Sequence, residues 1–177
     1  MGLPEIFISF QTAAVSAITR SARGVLAVAV KDATAGGAAE AAYKSLAEVP
    51  EDKFSPENYR LLKLAFLAAP TKVWVLRVGE DAEKTYQALE RLRFDWLAAP
   101  GLEDARVMSF IKTLRNGGRG VKAVVANATA PDCEGIVNLC VSGLMLEDGA
   151  MEAKDYAVRV AALLAALPLT RSATYVN

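Results

Sequence analysis

Residues 24–30 read Gly-Val-Leu-Ala-Val-Ala-Val, an apolar run with no polar face of its own. As a strand it would be dry on both sides, which is the condition of strands in a parallel sheet covered by helices above and below. The run therefore predicts a strand buried on both faces, which the rest of the chain must cover. Residues 55–57 begin to do so. Ser55 can cap, Pro56 suits the first helical position and Glu57 places an acid in the first turn, so a helix is expected from Pro56 to about Ala69, where Pro70 stops it.

The later segments alternate in the same sense. Residues 71–78 are dense in β-branched and aromatic side chains and read as a strand. A helix is expected over 82–93, a strand with its stop over 94–101, a helix from Glu103 to Arg115, and a strand over 121–128. Residues 136–146 form one further apolar run with a strand near 136–140, and Met151 to Leu167 reads as an alanine-rich helix closed by Pro168. Between the first strand and the first helix, Gly36-Gly37 reads as a turn and residues 41–49 as a short strand. Strands alternating with helices predict an α/β fold, a mixed and partly parallel sheet flanked by helices.

Both ends of the chain are patterned differently. From Pro4, residues Ile6, Ile8 and Phe10 fall on one face and Glu5, Phe7, Ser9 and Gln11 on the other, the period of a half-buried strand with no neighbour in sequence to pair with. Thr12 to Arg23 is small and polar and reads as a linker, so residues 1–23 form an extended N-terminal arm, 24–167 the α/β domain, and 168–177 the start of a C-terminal segment that reads as cut off in mid-course.

Composition excludes several classes. Twenty basic residues balance twenty acidic ones, so the chain as a whole offers no electrostatic footprint for nucleic acid. Its densest apolar run, 158–167, is too short for a membrane span, and the N-terminus lacks the basic and apolar regions of a signal peptide. A hydrophobic fraction of 53% and a mean hydropathy of +0.24 fit surface buried against partners or a tightly packed core.

Catalytic signatures do not converge. The chain has no histidine, and Cys133 and Cys140 lack metal-ligand spacing, so they read as two reduced thiols with no metal site and no cofactor. The glycines of 116–120 follow a helix and precede a strand, the reverse of a phosphate loop, and read as a C-cap. The acid pairs Glu51-Asp52, Glu80-Asp81, Glu103-Asp104 and Glu147-Asp148 read as capping or solvated charge, because adjacent acids do not face one another across a substrate. A serine nucleophile would need a lysine base, and no SxxK sequence occurs. Trp74 and Trp96 fall on strands and read as sheet-packing residues.

Taken in order, residues 1–32, the YKSLAEV of 43–49, FLAAPTKVWVLRV of 66–78, FDWLAAPG of 94–101 and LPLTRSATY of 167–175 resemble contractile phage tail sheath proteins, of the type found in Gram-positive phages and phage-like bacteriocins. The resemblance covers nearly the whole chain. It implies a structural subunit, not an enzyme: a helical homo-oligomer around an inner tail tube, engaged with a baseplate, located in the virion tail after assembly in the bacterial cytoplasm. It also implies that Ile6, Ile8 and Phe10 form a strand lent to a neighbouring subunit. Members of that family run longer, so the resemblance implies either a fragment or a truncated product.

The fold class alone leaves a second reading open: a small α/β enzyme or ligand-binding domain with its site at the C-terminal edges of the strands.

Overall fold

The structure is a computed structural model that describes residues 24–127, 131–146 and 149–167. In chain order its elements are β1 (Val25–Val30), β2 (Glu40–Tyr43), α1 (Pro56–Phe66), β3 (Lys72–Arg77), α2 (Ala82–Arg91), β4 (Trp96–Ala98), α3 (Asp104–Asn116), β5 (Lys122–Val125), β6 (Ile136–Asn138), β7 (Leu144–Leu146), β8 (Gly149–Met151) and α4 (Ala153–Ala166). Single 3₁₀ turns at Leu46–Glu48 and Glu51–Lys53 lie between β2 and α1.

Strands β2-β3-β1-β4-β5-β6 form one sheet in that order. All its pairings are parallel except that of β2 with β3. The expected mixed, partly parallel sheet is therefore present. From β1 the chain moves to one side to reach β3, then returns across the sheet to β4 and continues to β5. With one hand of crossover allowed, that reversal must put the connecting helices on opposite faces. The core shows this separation.

On one face, Leu26, Val28 and Val30 of β1 pack with Leu61, Leu62 and Ala65 of α1 and with Ala157, Val158, Ala161 and Ala162 of α4. On the other, Ala27 and Ala29 pack with Tyr86 and Leu89 of α2 and with Val107, Ile111 and Leu114 of α3. The alternation along β1 thus feeds two cores, and the apolar run is explained. Leu26, Leu62, Leu89, Leu97 and Ile111 are among the fully buried side chains, each worth about 1.5–3 kcal/mol of transfer free energy. Alanine on α4 lets that helix lie close over β1, β4 and β5 while also packing on α1.

The helix ends follow their capping chemistry. Ser55 accepts from the amide of Asn58 and Asp81 from that of Glu83, satisfying donors the first turns leave open. Gly117 and Gly118 terminate α3, Gly118 at a φ of 84°, so the 116–120 glycines form a C-cap as read from the sequence.

Some boundaries differ from expectation. Helix α1 ends at Phe66, not near Ala69, because Ala69 takes a φ of 52° ahead of Pro70, whose ring disfavours a right-handed helical residue before it. The strand expected over 41–49 covers only Glu40–Tyr43. Continuing its register would set Lys44 against Lys72, and the chain instead turns with the Glu48 carboxylate accepting from the Lys44 amide. The apolar run 136–146 is two strands, β6 and β7, separated by Gly143 at a φ of 66°. Met151 belongs to β8, which pairs with β7, so α4 starts at Ala153.

Candidate functional site

The reversal of chain direction at β1 opens a crevice at the C-terminal ends of β1, β3 and β4. An open cleft of about 720 Å³ lies there, lined among others by Lys31, Asp32, Glu80, Tyr86, Glu103 and Arg106. This is where an enzyme of this fold would work, so what its polar groups do decides the matter.

Asp32 is held by the fold. Its side chain has no solvent exposure. It accepts from the amides of Thr34 at 2.9 Å and Ser55 at 3.0 Å and from the Asn58 side chain at 2.8 Å, with Arg77 3.5 Å away. Burial pushes its pKa up, but the hydrogen bonds from Ser55, Thr34 and Asn58 outweigh it and hold the carboxyl well below the usual carboxylate range. A carboxylate so fully engaged is a brace between β1 and α1, not a general base.

Arg77, at the end of β3, completes the brace. It donates to the Thr34 and Lys53 carbonyls and lies 4.6 Å from the centre of the Phe54 ring. A side chain at Gly37 would collide with its guanidinium, so that glycine makes room for it. Across the cleft, Arg106 pairs with Glu83 and lies over the Tyr86 ring, which itself packs against Phe110 with centroids 5.1 Å apart. The Tyr86 hydroxyl is buried with no hydrogen-bond partner among the described residues. Burial raises its pKa, offset in part by Arg106. Gly101 closes the crevice floor. Its amide donates to the Ala29 carbonyl at 2.9 Å, and a Cβ there would lie 2.7 Å from the Lys31 nitrogen.

A second feature lies at the opposite ends of the strands, where the N-terminal segment joins the sheet. The Asp95 carboxylate accepts from the amides of Gly24 and Val25, and the Gly24 carbonyl accepts from the Thr71 amide at 3.0 Å. Gly24 has a φ of 92°, and a Cβ on it would lie 3.2 Å from the Ala165 carbonyl oxygen near the end of α4. The start of β1 and the C-terminal end of α4 therefore lie together at one corner of the domain.

The sequence-marked residues fall as follows. Ile6, Ile8 and Phe10 and the linker Thr12 to Arg23 lie outside the described residues, as does the pair Glu147-Asp148. Glu80-Asp81 and Glu103-Asp104 stand at the starts of α2 and α3, with Asp104 3.7 Å from Lys154. Cys133 and Cys140 are free thiols. Trp74 and Trp96 pack on opposite cores, under Lys72 and Lys122 respectively. No group of three or more His, Cys, Asp or Glu among the described residues is placed to hold a metal ion. Sequence reasoning missed Asp32, Arg77, Asp95 and Gly101. Only Asp95, a lone acid between two aromatics at a strand start, carries a local signal.

The described residues thus define a doubly wound α/β domain whose polar groups at the strand ends brace the fold. No family model matches the chain. Over 98% of its length it is 32% identical to the tail sheath protein of Clostridium phage phiCD119, of which it spans 51%. Its fold is that of the sheath tail protein of Desulfitobacterium hafniense, with a TM-score of 0.73 and 15% identity over 98% of this chain and 64% of that one. The sheath tail protein of Listeria innocua matches at a TM-score of 0.69 and 16% identity, over 85% of this chain and 58% of that one. The chain is a homologue of tail sheath proteins, as its sequence resemblance implied, and it spans about half the length of the curated relative.

Proposed function

We propose that the chain is a structural subunit of a contractile tail sheath. It polymerises into stacked rings around an inner tail tube, within a virion tail assembled in the bacterial cytoplasm, and contraction drives the tube through the target envelope. The observation that carries this reading is the 32% identity to a tail sheath protein across nearly the whole chain.

In this reading residues 1–23 are an arm, 24–167 the sheath domain and 168–177 the start of a C-terminal segment. Ile6, Ile8 and Phe10 are the strand lent to a neighbour's sheet, where backbone bonds give affinity and alternate side chains give register. The linker from Thr12 to Arg23 is the hinge. The tube and the baseplate are the further partners. The engaged state of Asp32 supports a structural subunit over a catalyst at the strand ends.

The test is light scattering after size exclusion, with negative-stain images, on the chain and on a variant lacking Met1 to Thr12. Concentration-dependent rings or tubes that vanish on deletion are expected. A monomer at every concentration, unchanged by deletion, would overturn the reading.

A further inference from the structure

We propose that Asn116 is a site of spontaneous covalent modification, in which the Gly117 backbone nitrogen displaces the Asn116 side-chain amide at a rate set by opening of the last turn of α3. Of the asparagines in the chain, only Asn116 is followed by glycine. The attack needs the backbone nitrogen of the next residue to reach the side-chain carbonyl carbon, and a side chain on that residue obstructs it. Glycine leaves the approach open. Asn116, Gly117 and Gly118 are all exposed, so solvent reaches the reacting groups.

The step balances with solvent alone. The Gly117 nitrogen gives its proton to solvent base and bonds to the Asn116 side-chain carbonyl carbon. The C–N bond of the side-chain amide then breaks, and its nitrogen takes up protons and leaves as ammonia. Water opens the cyclic imide that results. Breaking its bond to the side-chain carbonyl gives aspartate, and breaking its bond to the main-chain carbonyl gives isoaspartate.

The fold sets the rate. In the closed turn the Gly117 amide donates to the Thr113 carbonyl at 3.1 Å, which holds the proton that must leave. The Gly118 amide donates to the Arg115 carbonyl at 2.9 Å and the Arg119 amide to the Leu114 carbonyl at 3.0 Å, completing the C-cap. Reaction therefore waits on local opening of this turn. Closure depends on Gly118 at a φ of 84°, and nothing lies within 4 Å of a Cβ there. An alanine at 118 would thus strain the turn without colliding with anything. Both products loosen it as well. Aspartate puts charge at the negative end of the helix dipole, and isoaspartate lengthens the backbone inside the cap.

The experiment follows the whole chain at pH 7 and pH 9, beside the same chain in guanidinium chloride, by mass spectrometry of the peptide 113–122 that cleavage at lysine releases. Conversion gives that peptide the mass of an acid in place of an amide, and is expected to be faster at pH 9. The folded chain is expected to convert more slowly than the denatured one, by the same factor that protects the Gly117 amide from hydrogen exchange, because one opening governs both. Gly118→Ala is expected to convert about 5-fold faster or more. Gly117→Ala, whose Cβ would lie 3.3 Å from the Leu114 carbonyl oxygen, is expected to convert least. Equal rates in the folded and denatured chain would overturn the gating. So would a Gly118→Ala chain that exchanges faster at Gly117 yet converts no faster. Where Gly118→Ala loses its fold by circular dichroism, the comparison with exchange in the unaltered chain decides alone. An amide mass that persists in the folded chain beyond the time set by its exchange protection would overturn the site itself.

Discussion

One oxygen of the Asp95 carboxylate accepts from two consecutive amides, Gly24 at 2.8 Å and Val25 at 3.0 Å. The same residue donates its own amide to the Val25 carbonyl and accepts from Lys122 on its backbone oxygen, so it ties the first residues of β1 to β4 and β5. The point of entry of the N-terminal segment is therefore fastened to the centre of the sheet.

Removing the clamp should be measurable. Asp95→Ala leaves two amides without their acceptor, which costs about 1–3 kcal/mol, or roughly 2–4 °C of thermal midpoint per kcal/mol in a domain of this size. Amide exchange at Gly24 and Val25 should quicken before the rest of β1. Asp95→Asn, which keeps one acceptor oxygen, should lose less. Equal midpoints for wild type and Asp95→Ala would show the clamp to be idle.

Gly101 gives a sharper steric test. A Cβ on it would meet backbone atoms at both of its nearest contacts, 2.7 Å from the Lys31 nitrogen and 2.8 Å from the Val30 carbonyl carbon. Neither atom can swing aside as a side chain could. Gly101→Ala should destabilise by about 1–3 kcal/mol. Gly79→Ala, with nothing within 4 Å, is the control and should stay within about 0.5 kcal/mol. Chemical denaturation of the two variants decides it.

Residue pattern alone shows how much of this could be read in advance. β1 was legible because a strand dry on both faces leaves an unbroken apolar run, and α1 because its cap, proline and acid lie side by side. The strands β6, β7 and β8 span three residues each, too short to show a period, and their division depends on glycine conformations at Gly143 and Gly149. The braces were illegible for another reason. Asp95 and its partner Gly24 are 71 residues apart, and Asp32 finds Ser55 and Asn58 more than twenty residues on, so only the folded chain brings them together.

Asp32 should give the domain an acid-side weakness. Its carboxyl is held far below the ordinary 3.8 in the fold, so the unfolded chain takes up the proton first as pH falls. The stability it contributes is complete above about pH 5 and is lost progressively below pH 4. Asp32→Asn places an amide donor among donors. It should lower stability at pH 7 by about 1.5–3 kcal/mol, and the gap to wild type should narrow as pH falls towards 3. Urea midpoints across pH 3–7 measure both trends, and a gap constant with pH would refute the assignment.

Asp155, in the first turn of α4, should behave with the opposite sign. Partial burial raises its pKa, and Glu152 and Glu57 raise it further, against the weaker pull of Lys154 and Arg60. The folded chain therefore binds this proton more tightly than the unfolded one. The contribution of Asp155 is greatest below the ordinary carboxylate range and is lost as pH rises through the raised value. A first-turn acid normally gains from the helix dipole, and here its acidic neighbours and burial outweigh that gain. Asp155→Asn should match wild type near pH 3 and exceed it slightly at pH 7. The gain should stay within about 1 kcal/mol, because the site is partly exposed and solvent screens it. Set beside Asp32→Asn in the same urea series, the two difference curves should run in opposite directions with pH. Curves of the same slope would show that one of the two carboxylates has been assigned the wrong environment.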